Sequence, residues 1–533
     1  MKKFLQYLGC AGLAGLAILS CNKENYGDAP RDWDGTTEYF ASADDNGFST
    51  YYTPAIGRVG DPMPFYDAKA GEFKVLYLQE FENNATYNFH PFWGVATTDG
   101  ARYTSLGEVL PYGASIDVQD AALGTGCCVY NEAESLYYIY YTGHNGRCTN
   151  REVILRATSP DFKTWTKDVL WAIKGDDFGY STNDFRDPQV FKADDGLWHM
   201  VIASNLKFAD FKSSDLKNWE HVGSFNMIWD RMCECPDIFK MGDWWYCVYS
   251  EAYKVSWSRK VKYMMADSFD GLKACFADPG SHWPADGHEG VLDSRGFYAG
   301  KTASNGTDRY IWGWCPFRTG ATIHDRNINV GAGDGNEPNW SGALVCHKII
   351  QHENGTLTLG KVPAMASKYN VAKTVRIMAS EGATPDGTGG TLSGDGAYIL
   401  YNRLGNCNHI SMTVKTAGNT DKFGISLVRG SNSTKYYTMV VNPEEGGANR
   451  KINFVQEGSE GKGFIEAIDG YIFARPSDNT YHIDIYTDNS VVVLYINDVC
   501  AYTNRIYGIR KNCWSINNYG GSITISDLRV SEY

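Results

Sequence analysis

The stretch RDPQVFKADDGLWHMVIAS, residues 186–204, decides the fold. It consists of a short apolar strand, a polar turn around Gly196, and a second strand rich in aromatic and branched residues. Turn-forming residues between two such runs favour antiparallel pairing of the flanking strands. The stretch therefore predicts a β-hairpin, and the same plan recurs along the chain.

Four more segments share this order of short strand, polar turn and aromatic strand. The five second strands are expected to begin at intervals of about 47 to 65 residues, near Phe73, Leu136, Leu197, Trp244 and Arg309. The four further segments are GDPMPFYDAKAGEFKVLYLQ (60–79), TGCCVYNEAESLYYIYYTG (125–143), CPDIFKMGDWWYCVYS (235–250) and FYAGKTASNGTDRYIWGW (297–314).

A second repeat lies between these hairpins. Thr97-x-Asp99, Ser159-x-Asp161 and Ser213-x-Asp215 each precede an aromatic residue, and a weaker copy occurs at 268–270. Such turns are typical of the loop between the later strands of a repeated unit. A period near 55 residues with four strands per unit predicts a β-propeller, and five units predict five blades. Unrelated hairpins in a sandwich would not produce two interleaved repeats.

The pattern changes after about Pro363. Glycine-rich turns at 382–396 alternate with strand-like runs at 482–488 and 490–496, and Asn497-Asp498 has the composition of a hairpin turn. This alternation of turns and strand-like runs predicts a β-sandwich over 367–533. We therefore expect an all-β protein with a propeller at 46–363 followed by the sandwich, which either binds polysaccharide or covers a propeller face.

The N-terminus has the features of a lipoprotein signal peptide. Lys2 and Lys3 precede an apolar run at 8–19 that is too short to span a membrane. The following Ile-Leu-Ser-Cys at 18–21 resembles a bacterial lipobox, in which Cys21 would be the lipid anchor and 22–45 a polar tether. The sequence thus predicts an extracytoplasmic, membrane-anchored protein. An ordinary secretory peptide is the alternative.

Composition excludes several functional classes. The 533 residues carry a net charge of −13, which is opposite to the balance of a nucleic-acid-binding protein. The 12 cysteines that follow Cys21 are scattered without zinc-binding spacing, so we expect mostly buried thiols. No phosphate-binding or metal-ligand motif is present, and we expect neither a metal nor a cofactor.

Three carboxylates occur at corresponding places in the repeats. Asp61, Asp187 and Glu234 each lie just before or within a first strand. The innermost strands of a propeller line its central channel, so these acids should converge at one mouth. A single Asp-Pro would be ordinary turn chemistry, whereas three acids in register indicate a site. Glycoside hydrolysis needs two carboxyl groups beside the scissile bond, and crowding raises the pKa of at least one of them.

The surrounding residues resemble a known family. DFRDPQVF (184–191) and ECPDIF (234–239) are similar to two signature motifs of glycoside hydrolase family 32, which comprises invertases, inulinases and levanases. The run 484–498 resembles a signature strand pair of the family's C-terminal sandwich. The resemblance extends from about residue 50 to 533. Further pieces in the family's order are YLQ (77–79), WG (93–94), GTG (124–126), YTG (141–143), FYA (297–299) and WGW (312–314).

The resemblance implies a role for each acid. Asp61 would be the nucleophile that attacks the anomeric carbon of a fructosyl unit, and Glu234 would be the acid/base. Asp187 would bind sugar hydroxyls and stabilise the transition state. Retention of configuration would require the two reacting carboxyl groups to lie about 5–5.5 Å apart. The sugar pocket would be lined by Gln79, Trp93, Thr125, Arg186, Tyr298 and Trp314.

The chain also departs from the family pattern. The family's Asn-Asp-Pro-Asn-Gly is Gly-Asp-Pro-Met-Pro at 60–64, Val95 replaces a histidine, and Cys-His-Lys at 346–348 replaces a stretch similar to Pro-Arg-Glu. We expect the chemistry to be kept and sugar recognition to differ, with levan, inulin and sucrose all open as substrates.

Two other functions stay open. A family 43-like enzyme would use a similar propeller to invert arabinan or xylan, with about 6.5–9.5 Å between its acid and base. A cell-surface glycan-binding protein without catalysis is the second, and it would be favoured if Asp61 turned from the pocket or if Glu234 were locked in an ion pair.

Overall fold

The computed structural model describes residues 50–533 apart from 55–57, 81–89, 227–231, 253–259, 278–289, 317–339, 430–434, 444–450, 459–463, 474, 507–508 and 510–511. The signal peptide, Cys21 and the tether predicted above lie outside the described residues. Within these ranges, no helix has both the length and the apolar character needed to cross a membrane.

In the described ranges, the N-terminal part forms five antiparallel units of three to five strands, which are the blades of a β-propeller; blades V and I are joined by the pairing of Val59 with Gly342. The strands of blade I are β1 (Arg58–Asp67), β2 (Glu72–Glu80), β3 (Phe92–Thr97) and β4 (Thr104–Leu110). Blade II comprises β5 (Ala122–Asn131), β6 (Leu136–His144), β7 (Glu152–Ser159), β8 (Thr166–Lys167) and β9 (Ile173–Lys174), followed by a 3-10 helix (Gly175–Phe178).

Blade III comprises β10 (Arg186–Lys192), β11 (Trp198–Ser204), β12 (Lys207–Ser213) and β13 (Glu220–Asn226). Blade IV comprises β14 (Met232–Met241), β15 (Trp244–Ala252) and β16 (Lys260–Ala266), with helix α1 (Phe269–Cys275) after them. Blade V comprises β17 (Tyr298–Ser304), β18 (Arg309–Pro316), β19 (Gly342–Gln351) and β20 (Leu357–Gly360). The first strands contact one another in the closed ring β1–β5–β10–β14–β17–β1. The five-bladed prediction is therefore confirmed.

The second strands begin within one residue of the predicted positions, at Glu72, Leu136, Trp198, Trp244 and Arg309. These strands are buried and aromatic because both of their faces pack against neighbouring blades. Trp312 and Phe73, whose rings lie 5.2 Å apart, belong to the core shared by blades V and I. The aromatic residues of these strands thus serve the core of the propeller.

The Ser/Thr-x-Asp motif forms the turn after the third strand, as predicted. In blade II, Oδ1 of Asp161 accepts from the backbone N–H groups of Thr164 at 2.8 Å and Lys163 at 2.9 Å. These bonds lower the pKa of Asp161 to about 2. In blade IV the motif begins a helix instead. There Oγ of Ser268 accepts from the N–H of Gly271 at 3.1 Å and caps α1.

The C-terminal part is a β-sandwich, with 13 strands among its described residues, preceded by the short helix α2 (Met365–Lys368). Its strands are β21 (Val371–Lys373), β22 (Ile377–Glu381), β23 (Ala383–Asp386), β24 (Gly389–Tyr401), β25 (Cys407–Thr416), β26 (Phe423–Arg429), β27 (Lys435–Asn442), β28 (Lys451–Gly458), β29 (Phe464–Ile472), β30 (Thr480–Asp488), β31 (Val491–Ile496), β32 (Cys500–Arg505) and β33 (Cys513–Glu532).

The long strand β33 belongs to both layers of the sandwich. Its first part pairs with β26 and its last part with β25, so the chain passes from one layer to the other along this strand. Asn497 and Asp498 adopt φ of 52° and 55° between β31 and β32. The N–H of Val499 donates to the carbonyl of Ile496 at 3.1 Å and closes a turn whose two central residues adopt this left-handed conformation, so the predicted hairpin turn is confirmed.

Buried polar groups join the sandwich to the propeller. Asp293 is fully buried, and its Oδ1 accepts from the N–H of Thr503 on β32 at 2.8 Å. Its Oδ2 accepts from the hydroxyl of Thr503 at 2.5 Å and lies 3.1 Å from Nε2 of His347 on β19. His347 in turn meets the hydroxyl of Tyr495 at 2.8 Å. The Cys-His-Lys departure at 346–348 thus places a histidine in the domain junction.

We expect Asp293→Ala to destabilise the protein by about 2–4 kcal/mol, because it leaves the buried donors of Thr503 and His347 without their acceptor. Thermal unfolding followed by calorimetry measures the change. The exposed Asp386→Ala serves as the matched control and should stay within about 0.5 kcal/mol of the wild type. Equal melting temperatures for the two variants would show that the junction contributes nothing to stability.

All 12 cysteines in the described ranges are free thiols, and nine of them are buried. Cys128, Cys247 and Cys346 lie in the cores between strands, where burial raises the pKa of each thiol well above its usual range. The expectation of buried thiols is confirmed for these positions. Burial in apolar surroundings makes such thiols poor nucleophiles.

Candidate active site

Each innermost strand of the propeller contains one β-bulge at the same height. The pairing register with the second strand shifts between residues 60 and 63, 124 and 126, 186 and 189, 234 and 237, and 298 and 301. Bulges redirect side chains and are common beside active sites. Five bulges around one channel therefore direct a ring of side chains towards the same mouth.

The sequence at the bulges explains their conformation. Asp61, Asp187, Cys235 and Ala299 have φ of 21°, 58°, 51° and 52°, which is an uncommon conformation for residues other than glycine. Proline follows the first three of these residues, at 62, 188 and 236. Proline lacks an N–H group, so within a sheet it is tolerated where the ladder is interrupted. The Asp-Pro and Cys-Pro pairs are bulge residues within strands and not loop turns.

The bulges surround a cavity of about 310 Å³ at one end of the channel. Asp61 and Asp187 occupy the bulge position itself, whereas Glu234 lies one residue before it. Among the described residues, the lining consists of Asp61, Leu78, His90, Ala122, Leu123, Gly124, Thr125, Thr142, His144, Glu152, Arg186, Asp187, Glu234, Cys235, Tyr298 and Trp340. The three predicted acids thus meet in one pocket, together with Thr125, Arg186 and Tyr298.

The carboxylate of Asp61 is held by one donor on each oxygen. Oγ1 of Thr125 donates to Oδ2 at 2.7 Å, and the indole Nε1 of Trp314 donates to Oδ1 at 2.9 Å. Trp314 is fully buried and does not line the cavity. Its indole therefore orients Asp61 and offers no face for a sugar, which corrects the prediction that it forms part of the pocket wall.

Asp187 is the most buried of the three acids, at 3% exposure. Its Oδ2 accepts from the backbone N–H of Cys235 at 2.9 Å. Burial raises the pKa of Asp187 to about 7; the positive charge of Arg186 opposes this rise, and the neighbouring acids add to it. Asp187 therefore changes its charge near neutral pH.

Glu234 is more open to the cavity, with 22% of its side chain exposed. Its Oε2 accepts from the hydroxyl of Tyr298 at 2.9 Å. Its Oε1 lies 3.4 Å from Nη2 of Arg186, whereas that nitrogen lies 2.8 Å from Asp184. The contact with Arg186 is long, and Glu234 shares that nitrogen with Asp184.

Arg186 is held in place by neighbouring acids. Its Nη1 donates to both oxygens of Glu152, at 2.9 and 3.0 Å. Burial alone would disfavour its charge, but Glu152 and the other acids hold the pKa of Arg186 above its usual range. Glu152 also accepts from the backbone N–H of Phe185 at 2.9 Å. Sequence reasoning missed Glu152, which stands in no motif at the start of β7.

Gln79 and Trp93 are not brought into the pocket. Trp93 is on β3, which pairs with β2 and β4 and lies two strands away from the channel, and its ring packs against the core of the blades. Gln79 is fully buried on β2, and its neighbour Leu78 lines the cavity in its place. Adjacent residues of a strand face opposite sides, so the two cannot both face the pocket.

A lysine lies on the other side of the acids. Lys301 is buried on β17, and its Nζ donates to the carbonyl of Gly126 at 3.0 Å. Gly126 directly follows Thr125, which holds Asp61. It lines a second cavity of about 270 Å³ inside the channel, which also contains Asp237. The charge of Lys301 partly opposes the rise in the pKa of Asp187.

We expect Thr125→Val to lower kcat/KM by about 10- to 100-fold, because it removes a hydrogen bond to a charged carboxylate without changing the side-chain volume. Thr125→Ser keeps the hydroxyl and should recover most of the activity. Initial rates and melting temperatures are measured for both variants. A serine variant as inactive as the valine variant would mean that the hydroxyl is not what matters.

Comparisons with known proteins agree with this architecture. The family model described as "Glycosyl hydrolases family 32 N-terminal domain" matches residues 51–358. The model described as "GH32, BT1760-like, C-terminal domain" matches residues 355–530. Together they span the propeller and the sandwich.

Individual relatives match over shorter stretches. The levanbiose-producing levanase of Geobacillus stearothermophilus is 41% identical over 61 residues, 11% of this chain and 15% of that enzyme. The sucrose-6-phosphate hydrolase of Salmonella typhimurium is 28% identical over 205 residues, 34% of this chain and 39% of that enzyme. The chain thus spans less than half the length of these two relatives.

Solved structures show the same fold over nearly the whole chain. The exo-inulinase from Aspergillus awamori superimposes with a TM-score of 0.69 at 17% identity, covering 92% of this chain and 99% of that chain. The first family model alone covers more than half of the sequence. The chain belongs to glycosyl hydrolase family 32.

Proposed function

We propose that this glycoside hydrolase is a retaining β-fructosidase that cleaves levan, inulin or sucrose-type β-fructosides. The observation that carries the proposal is the meeting of Asp61, Asp187 and Glu234 in one cavity, with Asp61 oriented by two donors. The relatives named above, a levanase, an inulinase and a sucrose-6-phosphate hydrolase, support the substrate class.

The contacts suit a double displacement. Asp61 attacks the anomeric carbon of the fructosyl unit, while Glu234 protonates the leaving oxygen. A covalent fructosyl–Asp61 ester forms, and the proton of Glu234 leaves with the alcohol. Glu234 then takes a proton from water, which attacks the same carbon and releases Asp61. Two inversions give net retention.

The remaining groups stabilise the charges of this reaction. Asp187, when ionised, accepts hydrogen bonds from sugar hydroxyls and stabilises the positive charge that develops on the ring. Arg186, whose Nη1 is held by Glu152, lines the same cavity and contributes a positive charge there. Tyr298 donates to Glu234 and orients its carboxyl group.

Catalysis is better supported than the two alternatives. Asp61 lines the cavity and Glu234 is partly exposed there, which disfavours a binding protein without catalysis. Membership of family 32 disfavours a family 43-like inverting arabinanase or xylanase.

We also propose that the enzyme works outside the cytoplasm, held to the membrane by lipid on Cys21. The basic residues, the apolar run and the lipobox support this location. Detergent-phase partition of the wild type, compared with Cys21→Ser, tests the anchor; equal partition would contradict it.

The substrate is identified by product analysis after incubation with levan, inulin, sucrose and arabinan. We expect fructose or fructo-oligosaccharides from at least one of the first three, and nothing from an Asp61→Ala preparation made in parallel. Release of arabinose without fructose would overturn the proposal.

A further inference from the structure

Gly60, the residue before Asp61, lies directly against an indole ring. A Cβ atom added to Gly60 would stand 2.5 Å from both Cη2 and Cζ2 of Trp340. Carbon atoms normally approach no closer than about 3.5 Å. The six-membered ring of Trp340 therefore fills the space of any side chain at position 60.

The backbone at Gly60 does not itself require glycine. Gly60 is absent from the residues with positive φ, so an alanine could adopt its conformation. The close approach of Trp340 is the main obstacle to a side chain, and the backbone carbonyl of Leu78, at 3.3 Å, is the next nearest neighbour. The missing family asparagine at position 60 and the tryptophan at position 340 are thus two parts of one arrangement.

Trp340 is held firmly beside the acids. Its ring lies 4.6 Å from that of His90, whose Nε2 is 2.7 Å from Oε2 of Glu80. On another side it packs against a buried cluster that contains Tyr298 and Trp314. Part of the indole stays exposed and lines the same cavity as Asp61.

The indole of Trp340 has a different chemistry from the asparagine amide that the family carries at position 60. A carboxamide recognises hydroxyl groups by hydrogen bonds, whereas the face of an indole is apolar and electron-rich. That face suits the C–H groups of a sugar ring, and pockets for small ligands are commonly lined by aromatic side chains.

We propose that Trp340 is a specificity-determining residue that stacks on the fructosyl ring bound at Asp61, in place of an amide at position 60. This inference rests on the proposed function, since that function identifies the sugar as fructosyl. In this proposal Trp340 binds the sugar and takes no part in the chemical step.

The test compares Trp340→Ala, Trp340→Phe, Gly60→Ala and the double variant Gly60→Ala/Trp340→Ala. Calorimetric titration with fructose gives the Kd, and initial rates on the β-fructoside that the wild type cleaves give kcat and KM. We expect Trp340→Ala to raise the Kd and KM about tenfold or more, with kcat within about threefold of the wild type. Trp340→Phe, which keeps a smaller aromatic face, should raise them about threefold.

The double variant separates stacking from a general packing defect. Gly60→Ala should weaken fructose binding about tenfold when Trp340 is present, because the methyl group displaces the indole. In the Trp340→Ala background the same change should have less than a threefold effect, since the clash is gone. Melting temperatures identify a variant that has not folded, and if Trp340→Ala fails, Trp340→Phe decides the test.

The results distinguish this inference from the proposed function. A fructose Kd unchanged by Trp340→Ala, or an equal effect of Gly60→Ala in both backgrounds, would overturn the role of Trp340 while the wild type still hydrolyses β-fructosides. A wild type that binds fructose through Trp340 but cleaves no β-fructoside would overturn the proposed function alone. A wild type that does neither would overturn both.

Discussion

Asp61→Ala is expected to lower kcat on β-fructosides by about 10⁴-fold or more, because no other group can form the covalent intermediate. The variant retains Thr125 and Trp314, which now face the empty position. Azide is small enough to enter that space and should react in place of the carboxylate. The expected product is a fructosyl azide of inverted configuration, since only one displacement occurs.

The matched control for this prediction is Asp386→Ala, which removes an exposed carboxylate from β23 of the sandwich. It should keep wild-type kinetics and gain nothing from azide. Chromatography quantifies the released fructose, and NMR identifies the azide. Activity of Asp61→Ala within tenfold of the wild type would remove Asp61 from the mechanism.

Asp187→Asn is expected to lower kcat/KM by about 10³-fold and, above neutral pH, to stabilise the protein. The loss of activity follows from the loss of a negative charge beside the developing positive charge. The gain in stability follows from burial, because Asp187 is 3% exposed and its pKa is raised to about 7. Asparagine has no charge to bury, and its side-chain oxygen can still accept from Cys235.

The pH dependence of the stability difference between the wild type and Asp187→Asn follows from the ionisation of Asp187 in the folded and unfolded states. Below the unfolded pKa of 3.8, Asp187 is protonated in both states and the wild type has no charge to bury. Between 3.8 and about 7 the unfolded chain loses the proton first, so the wild type becomes less stable as pH rises. Above about 7 both states are ionised and the cost is complete. The advantage of Asp187→Asn should therefore grow up to neutral pH and then remain constant.

Calorimetry of the wild type and Asp187→Asn at pH 4, 6 and 8 measures this difference. A rise of about three pKa units corresponds to about 4 kcal/mol at about 1.4 kcal/mol per unit, so the stability of the variant relative to the wild type should increase by about that amount between pH 4 and pH 8. Because asparagine packs less well than the protonated acid, we expect the variant to be less stable than the wild type at pH 4 and about 1–3 kcal/mol more stable at pH 8. The wild-type kcat/KM should also fall as pH drops below about 7, as Asp187 becomes protonated. A variant less stable than the wild type at pH 8 would contradict the account.

The propeller was predictable because its signals are local. Each hairpin carries its own turn residues, and the motif around Asp161 forms the turn by bonds to its own neighbours. Repetition of these local signals gives the number of blades. The acids were predictable for the same reason, since they occupy corresponding places in repeated strands.

The rest of the pocket depends on contacts between distant parts of the chain. Glu152 fixes Arg186 from another blade, and Trp340 meets Gly60 across 280 positions of sequence. No local pattern marks either residue. Trp93 was assigned wrongly to the pocket because its motif gives no information on which strand of the blade is innermost. The prolines at 62, 188 and 236 were the unused signal, since proline within a strand indicates a bulge.

The central claim, a double displacement at Asp61 with Glu234 as acid/base, is tested most directly by transfer to methanol. Methyl fructosides do not interconvert in water, so the configuration of the first product is preserved and can be read by ¹³C NMR. The wild type acting on a β-fructoside in dilute methanol should form methyl β-fructofuranoside. Formation of the α anomer would show a single displacement and contradict the account.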